Sequence, residues 1–185
     1  MNEPSTPYSL KSAIVITQPT IDDLSTIRYI HAQSLRRAAA AWLDETAISA
    51  YDAFVYGPAY STDIEQALRK ARFFGAYLNG QLIGTSGWSP IDDDTASARV
   101  RWCHVQNLFG GLGIGRNLLD VAEQHAEAFG HTSLIARATP SSTAFFERAG
   151  YGVTAHGRRD IGPNQTLPVT FLRKNLRPPT APPLF

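Results

Sequence analysis

The sequence has little cysteine: Cys103 is the only one in 185 residues. No intrachain disulfide can form, and no cluster of thiolates is available to hold a metal. Charge of one sign is also missing. Seventeen Lys and Arg against sixteen Asp and Glu leave a formal +1, too weak a field to argue for nucleic acid or an anionic membrane as partner. No run approaches the roughly 20 apolar residues of a membrane span. The polar, proline-bearing start (residues 1–8) lacks the basic patch and apolar run of a secretory signal. These absences make a soluble cytoplasmic protein the expectation, as monomer or homodimer. Hydrophobic residues at 43% exclude a disordered chain. The length suits one domain, expected over residues 11–176 between flexible tails at 1–10 and 177–185, the latter proline-rich.

Apolar periodicity divides that domain. A β-branched run at residues 13–16 reads as a first strand. Thr20 caps a helix carrying Leu24, Ile27, Ile30 and Leu35 at helical spacing. Residues 38–60 are rich in alanine and aromatics, including Trp42, Tyr51 and Tyr60. Gly57-Pro58 is expected to break this segment, with a short helix resuming at 63–71. Residues 73–78 and 82–88 flank Asn79-Gly80, a pair that tolerates positive φ and so marks a type I′ hairpin. A charged loop at Asp92 to Asp94, a strand at 98–105, a helix at 112–129 closed by Gly130, a strand at 134–138 and a helix at 141–149 follow. Terminal strands are expected at 152–156 and 169–172. The class is α/β (α+β), a mixed, mostly antiparallel central sheet of about seven strands flanked by helices.

The chemistry concentrates where the strand at 98–105 runs through Gly110, Gly111, Leu112, Gly113, Ile114, Gly115 and Arg116 into a helix. Glycines let backbone approach an anion closely, and a helix N-terminus supplies free N–H groups with partial positive charge. A Walker loop is excluded because Arg116-Asn117, not Lys-Ser/Thr, follows the last glycine. A dinucleotide fingerprint is excluded because the loop comes late and follows an antiparallel hairpin.

With Val105 before the loop and Ala144-Phe145-Phe146-Glu147-Arg148-Ala149-Gly150-Tyr151 after it, the chain resembles the GNAT acetyltransferase superfamily. The resemblance runs over about 14–176 and is strongest over 98–151. It implies a strand splay at an acyl-CoA site and acetyl-CoA as acyl donor. Gly113 and Gly115 then match the glycines whose amides hold the cofactor pyrophosphate, and Gly110 replaces the usual Gln or Arg. Val105 matches the strand-end residue whose N–H binds the thioester oxygen. Cys103, Gly111, Ile114, Arg116, Thr139, Ser142 and Phe146 complete the implied cofactor contacts. The family's tyrosine acid is replaced by Phe146, which has no proton to give; Ser141 and Ser142 are the nearby hydroxyls.

The resemblance also implies where an amine acceptor would lie. The positions that often supply its base are Arg99 and Arg101, and arginine accepts no proton at pH 7. The two read as a clamp for an acceptor that carries a negative group, or as a solvated strand pair. Trp42 stands for the acceptor-covering aromatic segment. His104 has the pKa class of a base, but strict alternation places it on the other face of the strand unless a bulge intervenes. His31 and His125 read as helix-surface residues. The expected function is N-acyl transfer to a small-molecule or peptide amine by direct attack in a ternary complex, with no metal. A CoA-binding module without catalysis is the alternative, motivated by Phe146 and Gly110.

Overall fold

The turn at Asn79-Gly80 sets the middle of the sheet. Asn79 (φ 50°) and Gly80 (φ 77°) both adopt left-handed backbone, as a type I′ turn demands, and they join β2 (Phe73–Leu78) to β3 (Gln81–Ile91). In the computed structural model, which describes residues 13–39 and 42–176, β1 (Ile14–Thr17) pairs with β2, and β4 (Asp94–Val105) with β3. Next, β5 (Ser133–Ala138) runs parallel to β4. The hairpin of β6 (Gly152–Gly162) and β7 (Gln165–Asn175) closes a seven-stranded sheet of order β1-β2-β3-β4-β5-β7-β6. This is the single α/β domain expected from the sequence. The expected tails at 1–10 and 177–185 lie outside the described residues.

Among the described residues five α-helices cover the sheet. One face carries α1 (Leu24–Ala39), α2 (Glu45–Tyr56) and α3 (Pro58–Arg69), packed through Ile27, Ile30, Val55 and Ile64 onto Phe73, Leu82 and Leu167. The other carries α4 (Ile114–Ala128) and α5 (Pro140–Arg148), with Leu118, Leu119 and Phe146 against Ile83, Val100 and Leu134. One expectation changes here. Gly57-Pro58 opens α3 rather than merely breaking the segment, because proline at N1 forgoes an N–H that would be unpaired anyway. Asp44 starts α2 by accepting the Ala47 N–H at 2.8 Å.

Two irregularities of β4 shape everything that follows. The first is the splay. The β4–β5 ladder holds only Ser97↔Ser133, Ala98↔Leu134 and Arg99↔Ile135, after which the strands part. Its closed end is pinned by the Ser97–Ser133 hydroxyl pair at 2.7 Å, to which Arg173 donates. The second is a bulge. Between Gly87↔Arg101 and Thr85↔His104, β4 carries one residue more than β3, and Trp102 takes φ 57°. Opposite it, Gly87 has no room for a side chain: a Cβ would lie 3.1 Å from the Trp102 ring and 2.5 Å from the Arg72 carbonyl.

Candidate active site

The bulge resets the alternation of β4. Arg99 and Arg101 face the side of α1 to α3, and the extra residue lets His104 join them there. Val105 falls on the opposite side, packed with the α4 core. The expectation that His104 lies on the other face from the arginines is thereby corrected. Its ring stacks on His31 with centroids 4.2 Å apart, and its Nδ1 lies 2.5 Å from Ser34 Oγ.

His31 is not a surface histidine either; it is fully buried. Its Nδ1 lies 2.8 Å from the Tyr60 hydroxyl and its Nε2 2.8 Å from Thr85 Oγ1. Thr85 spends its one proton on the Trp102 carbonyl at 2.7 Å. His31 therefore donates from Nε2 and accepts the Tyr60 O–H at Nδ1. Burial, then the neighbouring His104, holds the His31 pKa well below its ordinary value, so the ring stays neutral. This buried chain ties the carbonyl of the bulged residue to α1 and α3. His125 is half-buried and accepts the Trp88 Nε1–H at 3.0 Å, so it too departs from the surface reading.

A cavity of about 490 Å³ opens between α1, the splayed end of β4, the start of α5 and the β6–β7 hairpin. His104, Val105, Thr139, Ser142 and Phe146 line it, as do four arginines: Arg99, Arg101, Arg137 and Arg159. Burial, then Arg159, lowers the His104 pKa to about 4, leaving a neutral imidazole at pH 7. Cys103 also lines the cavity, but burial pushes its thiol up to about 11, and it donates to Ser86 rather than being activated. Trp42 does not line the cavity: its indole N–H turns back to the Ala38 carbonyl at 3.0 Å, and Tyr51 and Tyr60 supply the aromatic wall instead. Phe146 is buried edge-on between Phe145 and Tyr151. The Ser142 hydroxyl donates to the Thr139 carbonyl at 3.1 Å.

The strand pairing also sets the direction of the Val105 amide. Gln106 N–H donates to the Ile83 carbonyl at 2.8 Å, so the next pair, Gly84↔Val105, is the non-hydrogen-bonded one. The Val105 N–H therefore points away from β3, towards the gap where β5 has separated. Beyond it, a short 3₁₀ turn (Asn107–Phe109) leads into the glycine loop. Gly113 is the N-cap of α4 with φ 82°, a conformation that a side chain resists, and nothing caps the helix from a side chain. The helix starts at Ile114, later than the expected 112, because the loop glycines hold non-helical backbone. The N–H groups of Ile114, Gly115 and Arg116 are the free donors of its first turn. Gly110 and Gly111 precede them in the loop, and the Arg116 side chain turns along the helix to Asp120 at 2.8 Å. These loop residues adjoin the cavity end at Val105 and Asn107 without lining it.

Sequence reasoning missed Arg137 and Arg159. Arg137 lies on a strand that was expected, opposite in face to Ala136 and Ala138. Arg159 lies on the part of β6 beyond 156, where no strand was expected. The hairpin extends to Gly162 and Gln165 because Asn164 takes the turn at φ 59°.

A splayed parallel strand pair, a glycine-capped helix beside it and a cavity opening at the splay define the fold of an acyl-CoA-type transferase. Residues 36–151 match the acetyltransferase (GNAT) family, and the chain belongs to that family. No curated protein sequence matches it. Solved structures share the fold at low identity. One is PaiA N-acetyltransferase from Thermoplasma acidophilum in complex with coenzyme A, at 18% identity and TM-score 0.70 over 88% of this chain and 98% of that one. Another is yncA from Salmonella typhimurium with its cofactor acetyl-CoA, at 19% and 0.66 over 93% and 99%. A third is ribosomal-protein-alanine N-acetyltransferase from Brucella melitensis, at 20% and 0.65 over 88% and 99%. Among the described residues no helix is long and apolar enough to cross a membrane.

Proposed function

We propose that the protein transfers an acyl group, in the first instance acetyl, from acyl-CoA to a primary amine bound in the same cavity. The observation that carries this reading is the continuity of three features: the uncapped α4 N-terminus at Gly113, the Val105 N–H in the splay, and the cavity beyond it. The fit to coenzyme A rests on the free N–H groups of Ile114, Gly115 and Arg116, which suit pyrophosphate oxygens. Acetyl-CoA would supply an acyl group already activated as a thioester. The Val105 N–H would hold the acyl oxygen as negative charge builds on it.

His104 is the general base in this reading. Ser34 Oγ lies 3.3 Å from the His31 carbonyl, to which it donates. His104 then donates from Nδ1 to Ser34, and its Nε2 keeps a lone pair for the proton shed by the attacking nitrogen. A base with a pKa near 4 cannot strip an ammonium beforehand. It acts once the nitrogen has begun to bond to the acyl carbon and its proton has become acidic. No acid stands at Phe146. A thiol of pKa about 8.5 leaves acceptably as thiolate, so the missing acid slows transfer by roughly the 10²–10⁴ that such help supplies without forbidding it.

The test is CoA-thiol release with acetyl-CoA across an amine panel, with the N-acetyl product confirmed by mass. His104→Asn should lower kcat about 10²-fold or more and leave CoA affinity unchanged. Phe146→Tyr should raise kcat, again without changing CoA affinity. Phe146 also favours a second reading, a CoA-binding module without catalysis. That reading prevails if calorimetry shows CoA binding while no amine releases thiol.

A further inference from the structure

The cavity wall carries more positive charge than the transfer reaction needs. Arg99 comes from β4, Arg137 from β5 and Arg159 from β6, with Arg101 beside them. Register places them together. Arg99 pairs with Ile135, two residues and thus one full alternation from Arg137. Arg159 pairs with Leu167, which belongs to the core under α1 to α3. All four therefore share that face of the sheet, whereas a Cβ placed on Gly115 would meet Val105 and Phe145 at 3.5 Å on the α4 side.

Among the described residues only one carboxylate answers them in the cavity lining. Asp63 pairs with Arg101 at 2.7 Å, so four arginines less one aspartate leave +3 on this wall at neutral pH, His104 being neutral. The clamp expected from Arg99 and Arg101 is thus redistributed. Arg101 is engaged by Asp63; its place over the Trp102 ring at 4.3 Å has counterparts in Arg137 over Phe171 at 5.5 Å and Arg159 over Phe54 at 4.9 Å. Among the described residues Arg99, Arg137 and Arg159 form no salt bridge, and Arg99 Nε is buried without a hydrogen-bond partner. Burial lowers the pKa of Arg99 and of Arg137; Arg101 and Arg159 lower Arg99 further, partly opposed by Asp92, and Arg99, Arg159 and Arg101 lower Arg137 further. Guanidiniums stay charged through such shifts, so the cluster is held together against its own repulsion. An anion placed between the three would relieve that repulsion and satisfy the orphan donor.

We infer that the amine acceptor is a small molecule that also carries a carboxylate or phosphate, gripped by Arg99, Arg137 and Arg159 so that its amine reaches His104 and the Val105 end of the cavity. The inference rests on the acyl-transfer reading for the amine, but the anion site stands on its own. Guanidinium forks meet either oxyanion with paired hydrogen bonds, and a cavity of about 490 Å³ suits a small molecule.

Two measurements test this separately. In the first, kcat/KM is compared for 4-aminobutyrate and phosphoethanolamine against butylamine, ethanolamine and spermidine. The anionic amines should lead by at least tenfold, and the better of the two identifies the oxyanion. In the second, protein saturated with CoA is titrated calorimetrically with malonate and with inorganic phosphate. At least one should bind, and Arg137→Gln and Arg159→Gln should each weaken it tenfold or more, with Lys at either position rescuing in part. A lower melting temperature with unchanged anion affinity would show a merely structural role and overturn the inference. So would a panel led by butylamine, ethanolamine or spermidine. Anion binding with no acyl transfer to any amine would instead defeat the transfer reading and leave the anion site standing.

Discussion

At the α4 end of the cavity the candidate binding groups are backbone: the N–H groups of Ile114, Gly115 and Arg116, exposed by the left-handed Gly113. At the other end they are side chains, Arg99, Arg137, Arg159 and His104, brought from three strands. The first site is local, and its geometry follows from about ten consecutive residues. The second depends on sheet order, on the register of four strands and on one bulge. A backbone site tolerates sequence drift as long as the glycine conformation persists. A side-chain site can be redesigned residue by residue, which is how one fold accepts different second substrates.

The sharpest way to break the comparison is at Gly113. Gly113→Asp puts a bulky residue at φ 82° and a carboxylate where the pyrophosphate is proposed to sit. CoA affinity should fall at least about a hundredfold, while the aspartate still serves as an N-cap and the fold persists. Gly113→Asn, which tolerates left-handed backbone without the charge, should lose far less. Equal calorimetric affinities for wild type and Gly113→Asp would remove the cradle from the site.

The same contrast explains what the sequence disclosed. The Asn79-Gly80 hairpin, the glycine loop and α4 announce themselves through neighbouring residues. The bulge at Trp102 does not: a tryptophan at φ 57° is an outlier that nothing in residues 98–105 signals. It exists because Thr85, His31 and Tyr60, distant in sequence, satisfy the displaced carbonyl and pack beneath it. With the bulge present only as a proviso, strict alternation put His104 on the wrong face. With β6 expected to end at 156, Arg159 dropped out of the cluster. Both errors concern long-range register, which local propensity does not encode.

A smaller effect probes the support of the bulge. Thr85→Val keeps the shape and removes the hydroxyl, leaving His31 Nε2–H and the Trp102 carbonyl without partners in a buried site. The cost should be about 1–3 kcal/mol of unfolding free energy. If the bulge is what presents His104, kcat should fall as well, with CoA affinity held. A variant that loses stability but keeps full kcat would separate the buried network from the chemistry.

The same buried pair also sets a slope of stability with pH, and its sign follows from the two histidines. His31 is buried among Tyr60, Thr85, Phe73 and His104, and its folded pKa lies well below the ordinary 6.5. His104 is lowered to about 4 by burial and by Arg159. In the unfolded chain both titrate near 6.5. Between pH 6.5 and the folded values the unfolded state binds more protons, so stability falls as pH falls. Each histidine contributes at most about 1.4 kcal/mol per pH unit, and above about pH 7.5 neither contributes because both states are neutral. The clean window is pH 6.5 to 5, above the ordinary range of carboxylate titration. Urea unfolding of the wild type there should show this decline, and His31→Gln, whatever its baseline stability, should show a shallower one. A wild-type stability that stays flat from pH 7 to pH 5 would mean that both imidazoles reach water, and the buried support proposed for the side-chain end of the site would not exist.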